Sequence, residues 1–338
     1  MQLFGKDLEH DVAIVAEIGV NHEGDVEKAS ELLRLAADAG ADAVKFQTYT
    51  PERLASADDR ERLERVARFA IDEAAHCRLA DEADKLGVVF FCSALTEDAV
   101  PLIARLSPAV KIASGDIDFE PVIRASAATG LPVLLSTGNA ELDEIDKAVD
   151  WFRDEIGGGD LRDRLVLMQC VSAYPAPAED ANVAAMGILQ ERYGVHVGYS
   201  NHVIGPEACY AAVALGACVL EVHFTDQKEG REFRDHQLSF DAADLAELVS
   251  RTPLIRAAVG HAKKTRQPSE VDALKAMRKG IVAARNLEKG TELTRDDLMF
   301  SRPATEFRSG EIGDLLGMRL DEPVSRGCVI PRKALRPA

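Results

Sequence analysis

Two lysines, two histidines, a glutamate and a row of serines fall at one recurring place in this chain, the carboxyl-terminal end of a short apolar run. Glu17 follows the run 12–16, Lys45 and Gln47 end the run 43–46, Ser93 follows 88–92, and Lys111 and Ser114 mark 110–113. Ser136 follows 133–135, Ser172 follows 165–170, Ser200 and His202 follow 195–199, and Glu221 and His223 end 219–222. A single lysine there has a bland reading, as partner of a nearby carboxylate, and a single buried histidine as a hydrogen-bonded core residue. Together they make a polar mouth that core packing does not require. Lysines beside hydroxyl donors suit a small anion bearing phosphate or carboxylate. His202 and His223 follow successive runs, and imidazoles from neighbouring strand ends can share a divalent ion. Nitrogen and oxygen ligands with open positions suit Mn or Mg better than a closed zinc site.

The elements that must position these residues are legible from the pattern. The apolar runs alternate with helix-like segments such as 25–38, 142–152 and 241–251, and Gly turns at 39–41, 86–87 and 215–217 close helices before the next run. Near-continuous apolar strands joined by crossover helices predict a parallel sheet covered on both faces. Eight such units in roughly 250 residues match a (β/α)8 TIM barrel, whose strand ends share one rim. A doubly wound sheet is the rival, and no Gly-rich dinucleotide turn follows the first strand. The α/β barrel is expected over residues 1–260, followed by a polar linker with a short helix at 261–277. Residues 278–338 read as short strands with Gly turns, a β-rich domain small enough to gain stability by docking on a partner surface.

The 338 residues include 40 Lys+Arg against 57 Asp+Glu, a formal charge of −17, with 46% hydrophobic and 29% charged residues. That composition excludes a disordered chain or a disulfide-dense module, and its acidity argues against a nucleic-acid partner. The six cysteines show no close metal spacing, and most lie in apolar runs. No apolar stretch is long enough for a bilayer and no signal core opens the chain, so a cytoplasmic address without membrane attachment is expected.

The motifs are more specific than the pattern. Ala16-Glu17-Ile18-Gly19-Val20-Asn21-His22-Glu23-Gly24, Lys45-Phe46-Gln47-Thr48, Lys111-Ile112-Ala113-Ser114-Gly115, Leu135-Ser136-Thr137-Gly138, Tyr199-Ser200-Asn201-His202 and His223-Phe224-Thr225 occur in that order at successive strand ends. The ordered set resembles the sialic acid synthase family over almost the whole chain, and the C-terminal part resembles the antifreeze-like (SAF) domain those enzymes carry. The resemblance implies condensation of phosphoenolpyruvate with an N-acetylhexosamine-type aldehyde, giving a nine-carbon 2-keto-3-deoxy sugar acid and phosphate. It also implies a divalent metal, Mn or Mg, on His202 and His223.

By the same resemblance Lys45, Ser93, Lys111, Ser114, Ser136 and Ser200 contact phosphoenolpyruvate. Glu17 handles a proton, and Gln47, Tyr174 and Asp235 (in the Arg-Asp-His-Gln run 234–237) hold the sugar. Arg302, in Ser301-Arg302-Pro303, is implied to reach the sugar site of the other subunit in a domain-swapped homodimer. Asp116 stands at a family substrate position one methylene shorter than the usual Glu, and in the run 170–175, where the family has a Thr and often an Asn, Ser172 is expected to keep a hydrogen bond with a shorter reach. Ala94 takes the place of a Thr whose hydroxyl would face phosphate, Val171 and Ala304 also depart from the pattern, and the connection 50–70 is short. These departures cluster at the substrate mouth, where loops set chemistry on a fixed barrel. The expected acceptor is N-acetylmannosamine or a bacillosamine-derived diacetamido hexose. The alternatives are a related synthase with another aldose, a Schiff-base aldolase using Lys45 or Lys111, and a non-catalytic sugar-binding homologue.

Overall fold

Each apolar run is bounded by turn residues and too short to bury a helix, so it satisfies its backbone groups by pairing with neighbours. In the computed structural model, which describes residues 1–337 apart from 232 and 234 and the backbone alone at 275, eight of them are strands. They are β1 (Ala13–Gly19), β2 (Ala43–Thr48), β3 (Val89–Ala94), β4 (Val110–Ile112), β5 (Val133–Ser136), β6 (Leu165–Gln169), β7 (His196–Asn201) and β8 (Val219–His223). All pair in parallel and in sequence order, and β8 returns to β1 to close the barrel. The expected TIM barrel is the observed fold.

The crossover helices are α1 (Val26–Asp38), α2 (Glu73–Leu86), α3 (Val100–Leu106), α4 (Glu120–Ala128), α5 (Leu142–Glu155), α6 (Ala185–Tyr193), α7 (Glu207–Ala214) and α8 (Ala242–Val259). Their ends carry the residues that helix termini need. Asp25, Asp72 and Asp241 accept from first-turn amides of α1, α2 and α8, and left-handed Gly87 and Gly194 close α2 and α6.

Strand alternation splits the barrel into two cores. Outward residues such as Ile14, Val44, Phe46, Phe90, Ala94, Leu135 and Val222 pack with Leu32, Leu33, Leu79, Ile103 and Phe152 of the helices. Inward residues Ala13, Val15, Phe91, Leu134, Val166, Met168 and Val219 fill the lower interior. A side chain at Gly198 would collide with Met168, so the glycine gives that thioether its space. The N-terminal hairpin, Gln2–Leu3 against Lys6–Asp7, plugs the bottom: Leu3, Phe4 and Leu8 join the interior cluster, with Phe4 4.7 Å from Phe91 between ring centroids.

One feature departs from the sequence pattern. The connection 50–70, expected only to be shorter than its family counterpart, contains the turn Pro51–Leu54 and the ten-residue helix Arg60–Phe69, capped by Asp59. Its apolar residues are few and set among arginines and glutamates, so the helical stripe is faint in sequence.

The chain divides into two compact units, Met1–Gly260 and His261–Ala338. The second has a short helix, Ala273–Met277, and pairs Gly280–Ala283 with Leu298–Ser301 and Arg319–Leu320 with Leu335–Arg336, all antiparallel. Its core holds Ile281, Leu287, Leu293, Leu298, Phe307, Leu315 and Ile330. Among the described residues no helix is long and apolar enough to cross a membrane.

Candidate active site

Above the apolar filling, the inward positions of every strand but β6 turn polar, and with Cys170 after β6 they surround a cavity of about 310 Å³ at the C-terminal rim. That is the end where barrel enzymes build their sites. Glu17, Lys45, Gln47, Ser93, Lys111, Ser114, Ser136, Tyr174, Ser200, His202, His223 and Asp235 all line it. Position 234 of the Asp235 motif lies outside the described residues.

A β-bulge between Glu17 and Gly19 sets the first side chain. Gly19 is left-handed, at φ 55°, and a Cβ there would stand 2.9 Å from the Glu17 carboxylate. Glycine therefore permits the strand to turn while Glu17 stays aimed inward. Lys45 Nζ lies 2.9 Å from Glu17 Oε2 and 3.5 Å from Glu221 Oε1, and it donates to Ser93 Oγ at 2.8 Å. Gln47 Nε2 donates to Glu17 Oε1 at 3.2 Å. Lys111 Nζ donates to Ser136 Oγ at 2.6 Å and to the Ile112 carbonyl at 3.0 Å, and Ser200 Oγ donates to Glu221 Oε1 at 3.0 Å. Each lysine is thus tied to a serine on the next strand.

Burial and neighbouring charge tune the ring. Burial pushes the Glu17 carboxyl up to about 6, against the pull of Lys45 and with a push from Glu221. Burial also opposes charge on Glu221, but Lys111 and Lys45 outweigh it and hold that carboxyl down at about 2. Lys45 faces the same desolvation, and its two carboxylates overcome it, so its ammonium is held above the usual range. Lys111 has burial as its first influence and is lowered. Burial likewise raises the Tyr174 phenol.

The two imidazoles stand together, their ring centroids 5.3 Å apart, with the Tyr174 ring 4.1 Å from His202 and 5.8 Å from His223. His202 Nδ1 contacts the Val171 carbonyl, which only accepts, so Nδ1 carries the proton and Nε2 keeps a lone pair. Burial, with His223 adding to it, lowers His202 to about 4, so the ring is neutral near pH 7. Glu221 Oε2, on the same inward face as His223, is buried and has no hydrogen-bond partner. A neutral imidazole and an orphaned carboxylate oxygen are donors that fit a divalent cation. Among the described residues no group of three or more His, Cys, Asp or Glu gathers as a metal site. These donors would supply only part of a coordination shell.

Three expected site residues do not line this cavity. Asp116 is half-buried in the turn Ser114–Asp116, and burial raises its carboxyl to about 6 against the influence of Lys111. Ser172 is exposed, and Arg302 is an exposed residue of the second unit. Ala94 also differs from expectation: it points outward into the barrel–helix core and is fully buried, so its missing hydroxyl is not one that faced the cavity. Sequence reasoning noted Glu221 at a strand end but gave it no role. Its spacing of two from His223 was the available signal, since alternation puts both on one face. Arg62, Arg65, Phe69 and Phe233 also line the cavity and were missed altogether.

Comparison with known proteins agrees with this geometry. Residues 32–264 match the NeuB family, and residues 278–336 match the SAF domain. An uncharacterized protein of Methanocaldococcus jannaschii is 37% identical over 91% of this chain and 89% of its own length. The N,N'-diacetyllegionaminic acid synthase of Legionella pneumophila is 33% identical over 94% of this chain and 92% of its own. Among solved structures, the N-acetylneuraminic acid synthetase of Leptospira borgpetersenii superposes with a TM-score of 0.72 at 33% identity, covering 78% of this chain and 90% of that one.

Proposed function

The chain belongs to the NeuB family and is a sialic-acid-type synthase, and from that premise we propose that it condenses phosphoenolpyruvate with an N-acetylated amino-hexose to give a nine-carbon 2-keto-3-deoxy sugar acid and phosphate. The observation that carries this reading is the pair of buried lysines, each bonded to a serine, in one cavity with two imidazoles. A small molecule bearing both phosphate and carboxylate is what two such cationic cradles would hold. Ser114 and Ser200 add hydroxyls to the same rim.

In this reading Gln47, Tyr174 and Asp235 orient the sugar with its aldehyde toward the enol carbon. The enol π electrons form the new C–C bond, the aldehyde oxygen ends as a hydroxyl, and positive charge develops at carbon 2. Water adds there. Glu17, with a carboxyl near 6, takes one water proton near neutral pH and returns it to the aldehyde oxygen. As the bond from carbon 2 to the phosphate oxygen breaks, the remaining hydroxyl proton leaves with phosphate and carbon 2 becomes the ketone. Lys45 and Lys111 hold the departing charge. His202 and His223 would hold Mn or Mg, which when bound polarises the aldehyde. The proposal includes a homodimer in which Arg302 completes the sugar site of a second copy.

The test is phosphate release from phosphoenolpyruvate over a panel of aldoses, with Mn, with Mg and with chelator. Release that requires both sugar and metal, and falls to background in His202→Ala and His223→Ala, is expected. Full activity after chelation would overturn the metal role, and no release with any aldose would overturn the reaction. A Schiff-base aldolase is the reading that the lowered Lys111 favours; borohydride trapping of a pyruvate adduct on the chain would select it.

A further inference from the structure

Helix Arg60–Phe69 turns a cationic face to the cavity. Arg62, Arg65, Val66 and Phe69 fall at i, i+3, i+4 and i+7, one stripe of a helix, and all four line the cavity. The helix is held from three directions. Phe69 is buried and meets Phe233 edge-on at 5.4 Å. The Tyr49 hydroxyl donates to the Val66 carbonyl at 3.0 Å. Gly24, in the loop after β1, lies so close to the Arg68 carbonyl that a Cβ would collide with it. Two exposed guanidiniums are therefore presented from a fixed support.

Their lack of a carboxylate partner, which Arg60 and Arg68 of the same helix share among the described residues, contrasts with many arginines elsewhere in this unit. Residues 1–260 carry 46 Asp+Glu against 24 Lys+Arg, and exposed arginines there commonly close on carboxylates. Arg53–Glu97, Arg78–Glu27, Arg105–Glu73, Arg162–Glu9 and Arg192–Asp146 are such pairs. Among the described residues neither Arg62 nor Arg65 has a carboxylate partner. Like charges three apart on a helix repel, and an anion received between them would relieve that repulsion.

Depth assigns the anion. Lys45, Ser93, Lys111 and Ser136 are only 2–3% exposed, at the floor of the cavity, while the arginines are at its open end. An aldose between them, its aldehyde directed to the floor, has its far end beside Arg62 and Arg65. Resting on the reaction proposed above, we infer that the acceptor is an N-acylated hexose carrying a phosphate monoester on the carbon remote from its aldehyde, bound by Arg62 and Arg65. The arginine fork matches phosphate oxygens bidentately. A 6-deoxy diacetamido hexose has no oxygen at that carbon, so the inference excludes that acceptor and favours N-acetylmannosamine in its phosphorylated form over the free sugar.

The probes are N-acetylmannosamine and N-acetylmannosamine 6-phosphate, assayed with the full chain, phosphoenolpyruvate and Mn. The phosphorylated sugar is expected to have a kcat/KM about a hundredfold higher, the product of two charge-assisted hydrogen bonds of roughly tenfold each. Arg62→Gln and Arg65→Gln should each shrink that preference roughly tenfold, the size of one charge-assisted hydrogen bond, and the double variant should erase it. Equal use of both sugars overturns the inference. So does an equal loss on both sugars in the variants, or a change confined to the KM of phosphoenolpyruvate, which would make the arginines a steering device. Calorimetric titration of the two sugars reads binding without turnover. Tighter binding of the phosphate ester, lost in the double variant, supports the site even if no phosphate is released from phosphoenolpyruvate, an outcome that overturns the reaction alone. Equal binding of the two sugars overturns the site whatever the reaction.

Discussion

Charge in and around the barrel mouth is held against the preference of the surrounding protein, and Asp116 shows the consequence for stability. Burial raises its carboxyl from 3.8 to about 6. A folded-state value above the unfolded one means that its favourable contribution is complete below about pH 4 and is lost as pH rises through about 6. Asp116→Asn should therefore stabilise the fold at pH 7.5 by about 1–3 kcal/mol from the size of the shift, read as a higher melting temperature, and give little gain near pH 4. A gain of the same size at both pH values in thermal melts would show a packing effect instead. Loss of activity in the more stable variant would mark Asp116 as part of the substrate machinery. Ala94 makes the opposite case. It is fully buried in the outer core, so Ala94→Thr adds volume and an unpaired hydroxyl where there is no anion. A destabilisation of about 1–3 kcal/mol is expected, read by denaturant melts, with no fall in the KM for phosphoenolpyruvate. A lower KM would place the residue in the cradle after all. Polar strand-end residues were legible because they interrupt apolar runs; what sequence hid was the side each one faces, which depends on counting alternation through the barrel.

At the scale of elements, the strands announce themselves because each must be apolar on both faces, toward the barrel interior and toward the helices. All eight follow from that demand. Helix Arg60–Phe69 did not, since it buries one edge only: Phe69 is its sole fully buried side chain among ten residues. Its position nevertheless depends on the glycine it touches. Gly24 combines φ 87° with the close approach to the Arg68 carbonyl, so Gly24→Ala strains the loop and pushes the helix outward at once. The barrel core does not involve that contact. Gly24→Ala should keep the far-UV spectrum and most of the melting temperature, and raise the acceptor KM at least tenfold while changing that of phosphoenolpyruvate less. A variant with both constants unchanged would show that the helix plays no part in holding the sugar.

Across the whole molecule the charge is divided unevenly. The first unit has a net charge of −22, whereas residues 261–338 carry 16 Lys+Arg against 11 Asp+Glu, a net +5. Opposite charge on the units of different copies favours association at low salt. The proposed contribution of Arg302 to a second copy predicts complementation. Arg302→Ala and His202→Ala chains, each inactive alone, should recover activity when mixed, because one of the two sites in a mixed dimer then has both residues. Failure to recover, with subunit exchange demonstrated, would place Arg302 in cis or outside the reaction. The plug at the other end of the barrel has a kinetic consequence. With Leu3, Phe4 and Leu8 sealing the bottom, the cavity is a vessel with one door, so whichever substrate sits deeper must enter first. Steady-state patterns should then be ordered, with phosphoenolpyruvate leading, and excess sugar should inhibit by standing in the doorway of the empty enzyme.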